Sequence, residues 1–227
     1  MSHVGHRYDL VLDDKALRVV VVGQESGWPK NPRFAQRVSL ADRYQQVHGV
    51  SGLARHYYTD PGYPGRNPHM RGTTSALRII FGLGLGTDHE AEFVNPVNGK
   101  PFHLFDGFAL VNRLLCSSSS PESSKGRPTR TMWQNCGTHF RATMKILEPT
   151  LVVVQGHSVA KAVNRDLPVS RQLGDHLYES DTDLGRILVA TFSHPSAHGS
   201  LRWGDNPKAI YLTEVVEPTL TTAVSLL

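Results

Sequence analysis

Four short apolar runs constrain this chain more than any other feature. Leu17 to Val22 runs into Gly23, Phe108 to Leu110 and Val111 into Asn112, Leu151 to Val154 into Gln155, and Ile187 to Phe192 into Ser193. Each is rich in valine, isoleucine or leucine and does not alternate with polar residues. That is the pattern of a strand covered on both faces, as in the middle of a parallel sheet. Helical periodicity fills the intervals, over Thr73 to Leu83, Thr131 to Leu147 and Ser158 to Asn164. Strands alternating with helices predict an α/β fold around a mostly parallel sheet. A last stretch, about Asn206 to Val216, predicts a closing helix that stops before Pro218.

The 227 residues suit one domain, 1–227, and no internal repeat or dividing linker is visible. Two segments read as irregular. A long insertion covers about 28–70 and contains Pro61-Gly62-Tyr63-Pro64-Gly65; a mobile loop covers about 117–128, a serine run with Pro121, Gly126 and Pro128. With 39% hydrophobic and 19% charged residues the chain is not wholly disordered. Its apolar runs fall far short of the roughly 20 residues of a membrane span. Met1 to Leu10 has no apolar stretch of the secretory kind. Two cysteines, Cys116 and Cys136, are too few to staple a secreted domain, so a cytoplasmic protein is expected. The excess of 24 Lys+Arg over 20 Asp+Glu, a net +4, is mild, with arginine outnumbering lysine. This balance permits a nucleic-acid partner without demanding one.

In open parallel sheets, ligands bind beyond the carboxyl ends of the strands. That rule selects 23–27, Asn112, 155–158 and 193–199. Gly23-Gln24-Glu25-Ser26-Gly27 allows a tight turn with a carboxylate at its tip, or is an ordinary turn with a solvated Glu25. Its spacing is wrong by one for the Gly-x-Ser-x-Gly elbow of a serine hydrolase. His194-Pro195-Ser196-Ala197-His198-Gly199 contains proline and glycine, so its histidines are not a helical i,i+4 metal pair. No His-Glu-x-x-His, Cys-x-x-Cys or His-x-Glu pattern supports a zinc site. Gly82, Gly84 and Gly86 lack the strand-then-helix setting of a dinucleotide fingerprint.

Taken in order along the chain, these pieces resemble the uracil-DNA glycosylase superfamily. The resemblance rests on a strand ending in Gly23-Gln24-Glu25, a later strand ending in Asn112, and a final strand followed by His194-Pro195-Ser196. Asn112 lies four positions before Cys116, and Cys136 lies in the helix before Leu147-Glu148-Pro149-Thr150-Leu151-Val152-Val153-Val154-Gln155-Gly156. Both, together with Arg71-Gly72 and Leu77, are similar to the iron–sulfur branch. The likeness spans about Arg18 to Gly199. It implies a three-layer α/β/α sandwich with a central, mostly parallel four-stranded sheet.

It also implies roles. Glu25 and His194 would be catalytic, the first steadying the sugar cation and positioning water, the second donating a hydrogen bond to the departing base. Gln24 and Asn112 would contact the base, Asn112 by reading its pairing edge. His69, with Tyr63 as second candidate, stands nearest the position where the branch stacks a phenylalanine on the base. Ser196, His198, Arg202, Arg127 and Arg130 would contact DNA, with the loop at Arg202 and Trp203 either a minor-groove wedge or a surface arginine beside a packed tryptophan. The branch carries its carboxylate one position before Glu25, where this chain has Gln24, and Ser26 replaces its proline.

The branch's cluster takes four thiolates, and residues 1–22 contain no cysteine. No cofactor or metal is therefore expected; the alternative is an iron–sulfur cluster on Cys116 and Cys136, completed by His3 and His6. The leading reading is a monomeric, monofunctional glycosylase acting on uracil or a related deaminated base in DNA. The alternatives are a non-catalytic or weakly active DNA- or base-binding protein of the same fold, and a nucleotide-processing enzyme using the same crevice.

Overall fold

The computed structural model describes residues 3–12, 15–24, 66, 68–88, 90–96, 99–115, 128–183, 185–204 and 206–227. Seven strands make the main sheet: β1 (His3–Val4), β2 (Val19–Gly23), β3 (Phe108–Asn112), β4 (Leu151–Gln155), β5 (Arg171–Gly174), β6 (Leu177–Thr182) and β7 (Gly185–Phe192). Their order is β1-β3-β2-β4-β7-β6-β5. The four expected strands are its parallel centre, β3-β2-β4-β7. β1 adds antiparallel at one edge, β6 and then β5 at the other. The expectation of four strands is thus corrected to seven.

The edge strands escaped a search for apolar runs for a physical reason. β1 is two residues long, β5 is mostly exposed, and β6 carries Glu179, Ser180 and Asp181. Glu179 is accommodated there because Arg186 of β7 donates to it at 2.9 Å.

All five residues of β2 and all five of β4 are buried. Alternate side chains point to opposite faces. Val19, Val21, Leu151, Val153, Leu188 and Ala190 pack on one side against Leu77 and Ile80 of α1 (Pro68–Ile80) and Leu220 of α4 (Glu217–Leu226). Val20, Val22, Val152, Val154 and Val189 pack on the other against Phe140 and Met144 of α2 (Arg130–Leu147) and Val163 of α3 (His157–Asp166). Each of these valine, leucine, isoleucine, phenylalanine and methionine side chains stabilises by about 1.5–3 kcal/mol relative to exposure. None of the described helices is long and apolar enough to cross a membrane.

Two helix boundaries differ from expectation. α1 starts at Pro68, five residues before Thr73, because its first turn is polar and shows no apolar period; proline at a first helical position loses no hydrogen bond. The closing helix does not stop before Pro218. A π-turn, Leu212–Val216, leads directly into α4, and the Glu217 N–H donates to the carbonyl of Leu212. The wider turn accommodates the proline ring, which would collide with the i−4 carbonyl of an α-helix. The Gly82 to Gly86 run is the turn after α1, fastened by Arg78 donating to the Gly84 carbonyl at 2.8 Å. The segments expected to be irregular, 28–70 and 117–128, lie for the most part outside the described residues.

One buried ionic group ties α1 to the sheet's flank. Arg66 meets both carboxylate oxygens of Glu92, at 2.9 and 2.8 Å, and donates to Thr74 of α1 at 2.7 Å. The Phe105 N–H donates to His103 Nδ1, so Nε2 carries the proton and donates to Glu92 at 3.1 Å. Removing the carboxylate leaves a buried guanidinium uncompensated. Glu92→Ala is expected to lower the unfolding free energy by about 3–5 kcal/mol, seen as a lower urea midpoint at unchanged slope.

Candidate active site

The carboxyl ends of the four parallel strands form one edge. Gly23 is in register with Asn112, Val22 with Val154, and Gln155 with Phe192. The first turn of α1 crosses this edge. A Cβ on Gly23 would lie 3.1 Å from Asn112 Oδ1 and 3.3 Å from His69 Cε1. The missing side chain at Gly23 therefore lets Asn112 and His69 meet. His194, in the loop after β7, brings its ring to 5.6 Å from that of His69, nearly parallel at 18°.

Two glycines permit this approach. A Cβ on Gly72 would stand 2.5 Å from Pro195, and one on Gly204 only 2.1 Å from the Pro68 carbonyl oxygen and 2.6 Å from Pro195. The loop itself is rigidly held. Trp203 is wholly buried and its indole N–H donates to the Ser193 carbonyl at 2.9 Å; the Ser193 hydroxyl donates to the Leu201 carbonyl at 2.6 Å. The Gly204 N–H closes onto the Pro195 carbonyl at 2.8 Å. On the opposite side, buried Gln155 donates to Thr73 Oγ1 at 3.2 Å, and Thr73 donates to the His69 carbonyl at 3.1 Å. A strand end thus fixes the helical turn that presents His69.

Hydrogen bonding also sets the tautomer of His194. Its Nδ1 lies 3.2 Å from the Ser196 backbone N–H and 2.8 Å from the Ser196 hydroxyl. A backbone N–H can only donate, so Nδ1 accepts and Nε2 carries the proton. Burial lowers the pKa of His194 below the usual imidazole range. Burial and the neighbouring His194 push His69 down to about 4. Both rings are neutral at pH 7. The crevice therefore offers a neutral imidazole N–H and an asparagine amide at a strand edge, groups suited to stabilising charge that develops on an acceptor atom.

Of the expected residues, the structure brings together Asn112, His69 and His194, with Ser196 behind His194. Gln24 follows directly after β2 and its carbonyl accepts from the Leu114 N–H at 2.8 Å. Ser196, His198 and Arg202 are exposed on the loop after β7. Arg130 is not part of the crevice; it opens α2 and lines a separate cleft. Trp203 is the packed tryptophan and no wedge, because its ring is wholly buried edge-on against Phe192. Glu25, Tyr63, Arg127 and Cys116 lie outside the described residues.

Sequence reasoning missed the supports of this site. Thr73, Gly72 and Gly204 act only through close contacts that no spacing rule marks. Leu201, 41% exposed beside Arg202, was also missed; it is a large apolar side chain on an exposed turn. The only available signal for it was its position shortly after His194-Pro195-Ser196.

The residues present do not fit the four-iron cluster of the branch the sequence resembles. Cys136 is a buried free thiol of α2, and His3, the substitute ligand, has its Nε2 against the Phe105 carbonyl at 3.0 Å. Among the described residues no three His, Cys, Asp or Glu side chains converge as a metal site. No model of a known protein family matches this chain, and no curated protein matches it either.

Two outcomes follow from the packing and the protonation. Gly204→Ala is expected to destabilise the fold by about 1–3 kcal/mol in urea, because the added methyl collides with backbone. His69 takes up protons near pH 6.5 when unfolded and only near 4 when folded. Between those values the unfolded chain binds more protons, so stability rises with pH and levels off above 6.5. The full contribution is up to about 3 kcal/mol. His69→Asn should flatten most of that slope in urea midpoints measured from pH 4.5 to 7.

Proposed function

We propose that this protein is a monofunctional DNA glycosylase that hydrolyses the N-glycosidic bond of uracil or a related deaminated base. The observation that carries this reading is the neutral His194 stacked on His69, which borders Gly23 together with Asn112; the His194 Nδ1 is held by Ser196 so that Nε2 presents the proton. In this chemistry the base is first flipped out of the stack and its pairing edge is read in the pocket. Water then bonds to the anomeric carbon while the C–N bond breaks; the electron pair leaves with the base, and the proton that the water sheds ends on the base anion by way of solvent. Negative charge grows on the base oxygen. A fixed, neutral N–H meets that charge without itself losing a proton, and Asn112 both donates to and accepts from the pairing edge.

The remaining parts of the proposal rest on the resemblance. Glu25 would steady the sugar cation and orient the attacking water. The stacking surface for the base would come from His69, with Tyr63 as second candidate. Gln24 would contact the base with Asn112; Ser196, His198, Arg202 and Arg127 would hold the DNA, and exposed Leu201 has the character of an apolar side chain inserted between base steps. Helices on both faces of the sheet support the three-layer α/β/α architecture. The protein would act as a cytoplasmic monomer without a cofactor.

The test is incubation with single- and double-stranded oligonucleotides carrying uracil, hypoxanthine or xanthine, followed by alkaline cleavage at abasic sites. Base release is expected on at least one substrate. Binding that weakens with salt but yields no abasic site on any of them would establish the binding-module reading instead. His194→Ala should lower kcat by about 10²–10³-fold. Glu25→Gln should slow cleavage far more than it weakens binding.

A further inference from the structure

A second cleft lies on the opposite face of the sheet from the histidine pair. Asn112 ends β3 and turns toward α1; the next residue, Arg113, turns the other way, into a space of about 620 Å³ between α2 and α3. Arg113, Arg130, Arg141, Arg165, Trp133 and Asp166 line it. Four guanidinium groups face one carboxylate there, a surplus of three positive charges.

Arg113 makes this a built site. Its side chain is 3% exposed, with its guanidinium 5.4 Å from the Phe140 ring centroid and 5.8 Å from that of Trp133. Asp166 accepts from its Nε at 2.8 Å and, through the other oxygen, from Arg141 at 2.9 Å; the Trp133 carbonyl accepts from Nη2 at 3.2 Å. Nη1 is buried and has no hydrogen-bond partner among the described residues. A buried charged donor left in this way is costly unless something accepts from it. The helix is also cut away to admit this group. A Cβ on Gly137, in mid-α2, would come within 2.9 Å of Arg113 Nη2. Glycine in a helix interior destabilises by about 0.5–1 kcal/mol relative to alanine, so the cleft is maintained against local preference.

We infer that this cleft binds a phosphoanion. Guanidinium forks match phosphate oxygens in geometry, and a surplus of three charges favours a multiply charged group over a single carboxylate. A space of this size exceeds what one phosphate fills and suits a nucleotide-sized body. The site is independent of the crevice chemistry proposed above, since it shares no side chain with it. The phosphate group could belong to a nucleic-acid strand or to a free phosphate ester, and the test separates the two.

The experiment is a titration of the full chain, followed by calorimetry and by Trp133 fluorescence, with Trp133→Phe to assign the signal. The probes are inorganic pyrophosphate, and a short single-stranded oligonucleotide with and without a 5′-phosphate. Saturable pyrophosphate binding is expected, weakened about tenfold in each of Arg141→Gln and Arg165→Gln. Both positions are exposed, so these variants should keep the wild-type melting temperature within a few degrees. Equal binding of both oligonucleotides, weakened by the same substitutions, assigns the site to backbone phosphates. A requirement for the 5′-phosphate assigns it to a terminal phosphate ester. Absence of saturable pyrophosphate binding, or unchanged affinity in the Arg141→Gln/Arg165→Gln double variant, overturns the inference. Base release from the uracil oligonucleotide, measured in parallel, reports on the crevice separately.

Discussion

The contact of Pro195 with Gly72 and Gly204 is the constraint on which the crevice depends. It brings the loop after β7 against the first turns of α1 at distances no side chain at either glycine would allow. Everything at the strand edge follows from that approach. His194 and His69 come to lie ring on ring, His69 leans over Gly23, and Asn112 borders the same glycine. The contact is made rigid from behind by Trp203, which fills the core under the loop and returns its N–H to the Ser193 carbonyl.

This packing has an electrostatic consequence. Burial disfavours protonation of both imidazoles, and at His69 the neighbouring His194 adds to the effect. The pair therefore behaves as a set of fixed neutral dipoles, with the orientation of His194 chosen by Ser196. The opposite face of the same strand end has the contrary character. There the Arg113 guanidinium is buried against Asp166, with the aromatic faces of Trp133 and Phe140 around it. The last residue of β3 and the residue that follows it thus serve two differently charged spaces on opposite faces of the sheet.

Much of the sheet's centre was legible without coordinates. The runs Val19 to Val22 and Leu151 to Val154 had no polar face to offer, so they had to be central and parallel. The edges were not legible, because β6 buries Glu179 against Arg186 and a polar pair of this kind carries no hydrophobic period. Pro218 misled in a similar way. Proline excludes an α-helical turn before it, but the π-turn at Leu212–Val216 satisfies the same restriction without ending the helix.

The sequence by itself determined the α/β class, the four parallel strands and which residues stand at their carboxyl ends, because strand burial and period are local properties of the chain. His194, Asn112 and His69 were named from motif order alone. Tertiary structure decided that they meet, that Gln155 and Thr73 hold the turn beneath His69, and that Arg130 belongs to a different cleft. Those outcomes turn on distances between segments far apart in the chain. A glycine's role in permitting them is invisible until the proline or carbonyl that approaches it is known.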